Sequence, residues 1–128
     1  MAKKKIDIKI KSYGIYTQWD RSSKELPKLR KVTTDIPAEL DIEFGYILHI
    51  KGGKGTLLEF IIKHPPFIDI KTGNVAPDFV GEHYVNSNDW MFFLGDTIWE
   101  PVEDKIGTWE IVVFMDGKEV TNKKFVVK

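Results

Sequence analysis

Imidazole is the side chain most often used to bind transition metals, and the sequence contains three histidines. His49 shares a predicted strand with Glu43, but at about 3.3 Å per residue the two side chains lie roughly 20 Å apart. The chain has no His-x-His pair and no cysteine. We therefore predict no native metal site and no cofactor.

Groups that act in hydrolysis are present, but not in a recognised arrangement. None of the serines lies in a Gly-x-Ser-x-Gly elbow, so no activated nucleophile is indicated. Acidic pairs such as Glu100 with Glu103 are explained by a solvated face. The glycines from Gly52 to Gly55 do not precede a predicted helix, which excludes a phosphate-binding loop. We predict that the protein is not an enzyme, and an unrecognised hydrolase is the least favoured alternative.

Aromatic and basic side chains provide chemistry for binding. Trp19 lies near a basic cluster from Lys24 to Lys31, which is the raw material of single-strand binding. However, 19 Lys and Arg balance 19 Asp and Glu, so we predict no nucleic-acid partner. Trp19 and Trp99 are the tryptophans that we expect to be least buried. Because aromatic faces bind sugars, a small-ligand domain of glycan type is our second hypothesis.

The connection predicted from Pro65 to Glu82 is long and rich in large apolar residues. Loops beyond about 12 to 15 residues without regular structure are often functional. In one interpretation, Phe67 and Phe79 fold back over the open end of the domain and the segment includes a short edge strand. In the other, three aliphatic residues stay exposed as an interaction patch, namely Ile68, Ile70 and Val75.

Composition limits the class of protein that must position these groups. A chain of 128 residues is the size of one domain, and we assign residues 1–128 to a single unit. The absence of cysteine excludes disulfides, so stability must come from packing. No apolar run approaches the length of a membrane span, so we predict no membrane partner and, unless an N-terminal signal was removed, a cytoplasmic protein.

A two-residue apolar period predicts strands along the chain. Ile6 to Lys11 alternates, and the parity shifts around Gly14, which indicates a bulge or bend. The clearest alternation runs from Leu40 to Ile50. The glycines that follow predict a hairpin with a strand at Thr56 to Lys63, which His64 and the next two prolines end.

The C-terminal half continues the same pattern. Short strands are predicted at Trp90–Leu94 and Thr97–Val102, and a hairpin turns at Asp116-Gly117. Val120 and Phe125 are an odd number of residues apart yet both are suited to the core, so we predict a bulge between Asn122 and Lys124. Seven or eight strands without a helix favour an antiparallel, immunoglobulin-like β-sandwich.

One segment supports the immunoglobulin-like class directly. The sequence from Asp104 to Trp109 resembles the corner before strand F of immunoglobulin domains, with Trp109 where tyrosine is usual. Since Trp109 shares parity with Ile111 and Val113, we predict that it is an interior anchor, whereas Trp19 borders a charged loop.

Several short segments in order also resemble a bacterial family of domains of unknown function, the one numbered 3859. The segments are Gly14-Ile15-Tyr16, Thr33 to Ala38, Phe44-Gly45, His64-Pro65-Pro66, Trp99-Glu100, Gly107-Thr108-Trp109 and Phe125-Val126-Val127. Asp35 departs from this pattern, which has a basic residue there, so anion binding at that position is not implied. The resemblance implies an immunoglobulin-like fold and transfers no activity.

With no catalytic constellation in the sequence, the favoured hypothesis is a non-catalytic binding or protein-interaction module that presents loops or an edge strand to a partner. We expect a protein partner and a monomer or weak homodimer. The candidate binding residues are Trp19, Ile68, Ile70, Val75 and Trp99.

Overall fold

The computed structural model describes residues 6–18, 25–69 and 71–128, and within them the chain forms nine strands in two sheets. The strands are β1 Asp7–Tyr16, β2 Leu29–Lys31, β3 Asp35–Ile36, β4 Glu43–Lys51, β5 Leu57–Lys63, β6 Phe79–Tyr84, β7 Asp89–Thr97, β8 Gly107–Met115 and β9 Lys118–Val127. A single 3₁₀ turn, Glu103–Lys105, precedes β8. None of the described residues forms a helix with the length and apolar character needed to cross a membrane.

The predicted β-sandwich is confirmed. Sheet A has the order β2-β1-β4-β7, and sheet B has the order β3-β9-β8-β5-β6. All pairings within the described residues are antiparallel except that of the two-residue strand β3 with β9, which is parallel. Short strands such as β2 and β3 have too few residues to show a period, which is why the sequence predicted fewer strands.

The predicted hairpin between β4 and β5 is wrong, because the two strands lie in different sheets. The connection between them runs beside the one from β6 to β7, where Gly55 N–H donates to the carbonyl of Val85 and Val85 N–H to that of Thr56. Gly52 and Gly55 have positive φ angles of 77° and 86°. Glycines that permit a turn permit a crossing between sheets equally well, so composition alone did not separate the two.

The parity shift in β1 is confirmed as a bulge, but the bulge lies at Lys11 and not at Gly14. The register with β4 slips between Ile10 and Ser12, so the apolar residues on either side of Lys11 face the same core. Further along, Gly14 pairs with Gly45, and Gly45 pairs with Gly95. A Cβ atom on these glycines would lie 1.9, 2.3 and 2.0 Å, in that order, from a carbonyl oxygen of a neighbouring strand. The row of glycines therefore lets β1 approach β2 closely, and β4 approach β7.

The C-terminal hairpin is confirmed, with Asp116 and Gly117 at φ of 51° and 76° in its turn. The predicted bulge exists, but not between Asn122 and Lys124. Val113 pairs with Thr121 and the next residue of β8 pairs with Glu119, so the extra residue is Val120 itself. This placement lets Val120 and Phe125 both pack on the core.

The prediction of a strand at Thr97–Val102 is wrong. β7 ends at Thr97. The next residue still follows the neighbouring segment, because the backbone N–H of Ile98 donates to the carbonyl of Ile42. A cis peptide bond then joins Glu100 to Pro101 before the 3₁₀ turn. Proline cannot donate to a ladder, which explains why the apolar run does not continue as a strand.

Trp109 is an interior anchor, as predicted, and the exposed fraction of its side chain is 0%. Its ring meets Phe44 edge to face at 5.4 Å between centroids, and its Nε1 donates a 2.9 Å hydrogen bond to the carbonyl of Lys105. An aromatic side chain at the start of a strand, bonded to the backbone just upstream, is the arrangement of the immunoglobulin corner. The resemblance noted in the sequence is therefore structural.

Candidate functional site

Two edge strands lie side by side along one open side of the sandwich. In the described part of the chain β6 pairs with β5 alone and β7 pairs with β4 alone, so each has one side without a strand neighbour. The rings of His83 on β6 and Trp90 on β7 are in contact, at 5.3 Å between centroids, which places the two edges next to each other. An edge strand leaves a row of backbone donors and acceptors available to another chain.

A cleft of about 330 Å³ lies between these edges and is lined almost wholly by apolar side chains. Its lining residues are Phe60, Ile62, Phe79, Phe92, Phe93, Leu94, Gly95 and Asp96. The volume falls at the lower end of the range for ligand pockets, about 300 to 1,000 Å³. Clefts of this type, apolar with few polar groups, are the usual form of a binding site.

Stacked rings join the two edge strands beside Phe92, which lines the cleft. Trp90 and Phe92 lie 5.0 Å apart with an angle of 18° between their planes, and His83 stacks on Phe92 at 5.6 Å and 22°. On the floor, the ring of Phe60 lies against Gly81 so closely that a Cβ atom there would be 2.4 Å from the ring. Gly81 therefore lets an aromatic ring occupy the space under β6.

Asp96 lies at the opposite end of β7 from Trp90 and is half-buried. Its Oδ1 accepts a 2.8 Å hydrogen bond from the backbone N–H of Thr97. The two edge strands carry three acidic residues, Glu82, Asp89 and Asp96, and neither strand contains lysine or arginine. The hydrogen bond from His49 lowers the pKa of the Asp89 carboxyl below its ordinary value. The two edge strands thus contribute acidic and apolar side chains, while the cations near Asp89 come from β1 and β4.

The connection between β5 and β6 folds back on the domain, as the first interpretation of the sequence proposed. Phe67 is buried, and its ring meets His64 at 4.5 Å and Trp99 at 5.4 Å. Phe79 is half-buried against the core and is the first residue of the edge strand β6. His64 fastens the connection, because its Nδ1 lies 2.8 Å from the carbonyl oxygen of Pro65 and its Nε2 2.7 Å from that of Pro77.

Of the candidate binding residues taken from the sequence, Ile68 and Val75 are 56% and 59% exposed. They face each other across an isolated β-bridge at the tip of the connection. Trp99 is half-buried, and together with Ile68 it lines a second cavity of about 280 Å³. Trp19 and Ile70 lie outside the described residues.

Lys105 lies against the second cavity and is only 1% exposed. Its Nζ donates to the carbonyl of Pro101 at 2.9 Å and pairs with the carboxylate of Asp104. The same ammonium lies 4.5 Å from the ring centroid of Trp99 and 4.7 Å from that of Phe67. Its charge is thus compensated by neighbours within the fold, and one face of the Trp99 ring is covered by it.

Other polar groups considered in the sequence are dispersed. No set of three or more His, Asp or Glu side chains among the described residues is grouped so that it could hold a metal ion. The carboxylate of Glu43 accepts a hydrogen bond from Thr97 Oγ1 at 2.8 Å. Asp35 pairs with Lys128 at 3.2 Å in an exposed ion pair on the β3–β9 edge.

The cleft residues were not among the candidates taken from the sequence. Trp90, Phe92 and Leu94 read as a covered strand, and nothing in a single strand shows that it will lie at an edge. One signal was available: the segments that become β6 and β7 lack the lysines with which edge strands are commonly protected.

Comparisons with known proteins agree with this architecture. The model of the family described as "Domain of unknown function (DUF3859)" matches residues 4–127. The fold is similar to the crystal structure of an immunoglobulin-like protein from Pseudomonas aeruginosa, with a TM-score of 0.74 and 22% identity over 95% of this chain and 97% of that one. A search of curated proteins found no match.

Proposed function

Because the chain belongs to the DUF3859 family, whose description carries no activity, we propose a function from its geometry: a non-catalytic module that binds an extended segment of a partner protein along the cleft between β6 and β7. The observation that carries the proposal is an apolar cleft flanked on both sides by edge strands that, in the part of the chain the structure describes, have no strand neighbour on that side. The partner supplies a strand, and the domain supplies the edge and the cleft.

Strand addition accounts for both features of the site at once. An extended peptide satisfies the outward backbone groups of an edge strand, and these hydrogen bonds provide affinity for any sequence. Successive side chains of the added strand point to opposite faces, so every second one enters the cleft. Apolar residues at alternate positions are therefore favoured, because they replace water against rings such as Phe79 and Phe92.

The charges on the edges favour a basic partner. Glu82, Asp89 and Asp96 lie on the two strands, and neither strand contains lysine or arginine, but Asp89 interacts with His49, Lys51 and Lys11 of other strands. A partner segment with positive residues is attracted to this side of the domain, and an acidic one is repelled. The same charges oppose pairing of two copies through β6, since Glu82 would face a second acidic edge.

A glycan site at Trp99 has less support. The ring meets Phe67 and Trp109 edge to face, and Lys105 covers one of its faces. Sugar platforms use a free aromatic face, which this packing restricts.

The proposal is tested with a fluorescein-labelled peptide of nine residues that alternates valine with threonine and has one lysine at each end. A peptide of the same composition without the alternation is the sequence control. Fluorescence anisotropy measures affinity, and amide hydrogen exchange locates the bound strand. We expect saturable binding of the alternating peptide alone, with slower exchange in β6 or β7 and unchanged exchange in β2.

Two variants of one residue type make the test specific. Phe92 and Phe114 are both half-buried phenylalanines. Phe92 lines the cleft, whereas Phe114 lies on the outer face of sheet B. Phe92→Ala should weaken binding about tenfold, which corresponds to about 1.4 kcal/mol, and Phe114→Ala by less than about twofold. Equal effects of the two variants, or no saturable binding of the alternating peptide, would reject the proposal.

A further inference from the structure

We propose that β6 is the edge that receives the partner strand, and that the outer face of sheet B selects a basic residue between two apolar ones on that strand. The presence of a bound strand rests on the proposed function. The choice of edge and the selected residues follow from the outward side chains of β6, which are Val80, Glu82 and Tyr84 and are all exposed.

The two ends of β7 are already bonded within the chain. The hydroxyl of Ser87 donates to the carbonyl of Asp89 at 2.9 Å, and the backbone N–H of Thr97 donates to the carboxylate of Asp96, which also has a further interaction within the chain. In the part of the chain that the structure describes, no backbone group of β6 has a hydrogen bond outside the ladder with β5. An added strand therefore finds more open donors and acceptors along β6.

The outer faces beside the two edges differ in the same direction. On β7, Phe93 is buried in a cluster with Tyr16 and Ile47, and its ring lies 5.0 Å from that of Tyr16 between centroids. On β6, Val80 and Tyr84 are 73% and 61% exposed. A strand added to β6 would cover apolar surface on the outer face that the domain itself leaves in water, and such burial is favourable.

Val80 ends a row of apolar side chains that crosses the outer face of sheet B. It lies opposite Ile61 of β5, which lies opposite Val112 of β8. Val112 has strand neighbours on both sides and is buried, whereas Val80 has a neighbour on one side only. An apolar residue of the added strand beside Val80 extends the row, and cross-strand pairs of this type stabilise a sheet.

Glu82 lies directly opposite Glu59 in the ladder between β6 and β5, and both side chains are exposed. Like charges directly opposite each other destabilise a sheet. Neither carboxylate forms an ion pair with another described residue. Lysine or arginine beside Glu82 on the added strand offsets this repulsion, whereas a neutral residue there would displace water from Glu82 without supplying a charge.

The spacing of these side chains defines a pattern in the partner. Val80, Glu82 and Tyr84 are two residues apart, so their neighbours on the added strand are also two residues apart. The selected pattern is apolar, basic and apolar at alternate positions, and the intervening residues face the cleft. This order reads the same in both directions, so it applies to parallel and to antiparallel addition.

The test uses the nine-residue peptide of the proposed function, in the order that directs its four valines to the cleft and its three threonines outward. The middle threonine is replaced with arginine or with citrulline, which has the same shape without the charge. Anisotropy is measured with the wild-type domain, with Glu82→Gln and with Glu119→Gln. Glu119 is an exposed carboxylate on β9, three strands from β6, and serves as the matched control. Circular dichroism checks the fold of each variant.

We expect the arginine peptide to bind the wild-type domain about three- to fivefold more tightly than the citrulline peptide at low salt. High salt should bring this ratio close to one, because exposed charges are screened. Glu82→Gln should reduce the ratio to less than about twofold, and Glu119→Gln should leave it unchanged. Amide hydrogen exchange should slow in β6 and stay unchanged in β7.

A third peptide tests the apolar positions. It keeps the arginine and replaces the two remaining threonines with valine, which has nearly the same shape without the hydroxyl. This peptide should bind the wild-type domain about threefold more tightly than the arginine peptide, and Val80→Thr should reduce that gain to less than about twofold. Equal affinities of the two peptides for the wild-type domain would reject the apolar positions.

The outcomes separate this inference from strand addition itself. Equal binding of the arginine and citrulline peptides, or slower exchange in β7 alone, would overturn the inference and leave strand addition standing. An absence of saturable binding by all the peptides would reject both proposals. Slower exchange in β6 at high protein concentration without peptide would assign this edge to a second copy of the chain and overturn the inference.

Discussion

Replacement of Trp109 tests whether the corner that joins the 3₁₀ turn to β8 stabilises the whole domain. The side chain is fully buried, its ring contacts Phe44, and its Nε1–H donates to the carbonyl of Lys105. Trp109→Phe keeps an aromatic ring and removes the hydrogen bond. Trp109→Ala removes both.

The expected costs follow from these contacts. The lost hydrogen bond costs about 1 kcal/mol. The void left by the smaller ring costs about another 1 kcal/mol at about 24 cal/mol per Å³. Trp109→Phe should therefore lower the free energy of unfolding by about 2 kcal/mol, and Trp109→Ala by about 3 to 5 kcal/mol. Tyr84→Ala, on the solvent-facing side of β6, should cost less than about 1 kcal/mol.

Urea unfolding followed by far-ultraviolet circular dichroism measures these differences without relying on tryptophan as the probe. The slope of the unfolding free energy with urea should stay constant, so that the midpoint reports stability. A Trp109→Phe variant as stable as the wild type would show that the hydrogen bond to Lys105 contributes nothing. Equal losses for Trp109→Ala and Tyr84→Ala would refute the interior anchor.

Three further predictions concern other parts of the fold. Burial raises the pKa of the Tyr46 phenol above its ordinary value of about 10. The neutral phenol therefore contributes its full share of the unfolding free energy below about pH 10, and this contribution is lost as the pH rises further. In urea titrations, Tyr46→Phe should flatten this alkaline decline of the unfolding free energy. Gly45→Ala should lower the free energy of unfolding by at least about 2 kcal/mol in the same assay, because the new Cβ atom would lie against the backbone of Leu94. Gly55→Ala, where a Cβ atom would meet open space, should lower it by about 1 kcal/mol. The reverse order of these two losses would contradict the close approach of β4 and β7. Ile68→Asp combined with Val75→Asp should leave the circular dichroism spectrum unchanged and cost less than about 1 kcal/mol, and unfolding would show instead that these exposed residues belong to the core.

The elements that the sequence predicted correctly are those with a local cause. The alternation in β4 and the Asp116-Gly117 turn each depend on a few neighbouring residues. So does the parity shift in β1, which was predicted around Gly14 and lies at Lys11. The bulge required by Val120 and Phe125 was also inferred correctly, but its position was wrong. Parity demands one extra residue somewhere between them, and the choice of Val120 depends on the register with β8.

The elements that the sequence did not predict depend on contacts between distant segments. Gly52 and Gly55 permit either a hairpin or a crossing, and the partners that decide between them, Val85 and Asn88, come more than 25 residues later. The cleft has the same origin. Phe60 and Phe92 become neighbours because β5 with β6 and β4 with β7 lie in facing sheets, and edge position is a property of a whole sheet.

His64 ties together the two ends of the connection between β5 and β6, since its ring nitrogens contact the carbonyls of Pro65 and Pro77. Beyond this tie, Ile68 and Val75 form a bridge whose side chains face solvent. His64 and the bridge anchor the base of the tip, as a framework anchors an antibody loop. Within the tip, Asp69 and Thr72 accept hydrogen bonds from the backbone N–H groups of Lys71 and Asn74. With no cysteine in the chain, the domain offers a site for grafting foreign loops that needs no oxidising conditions.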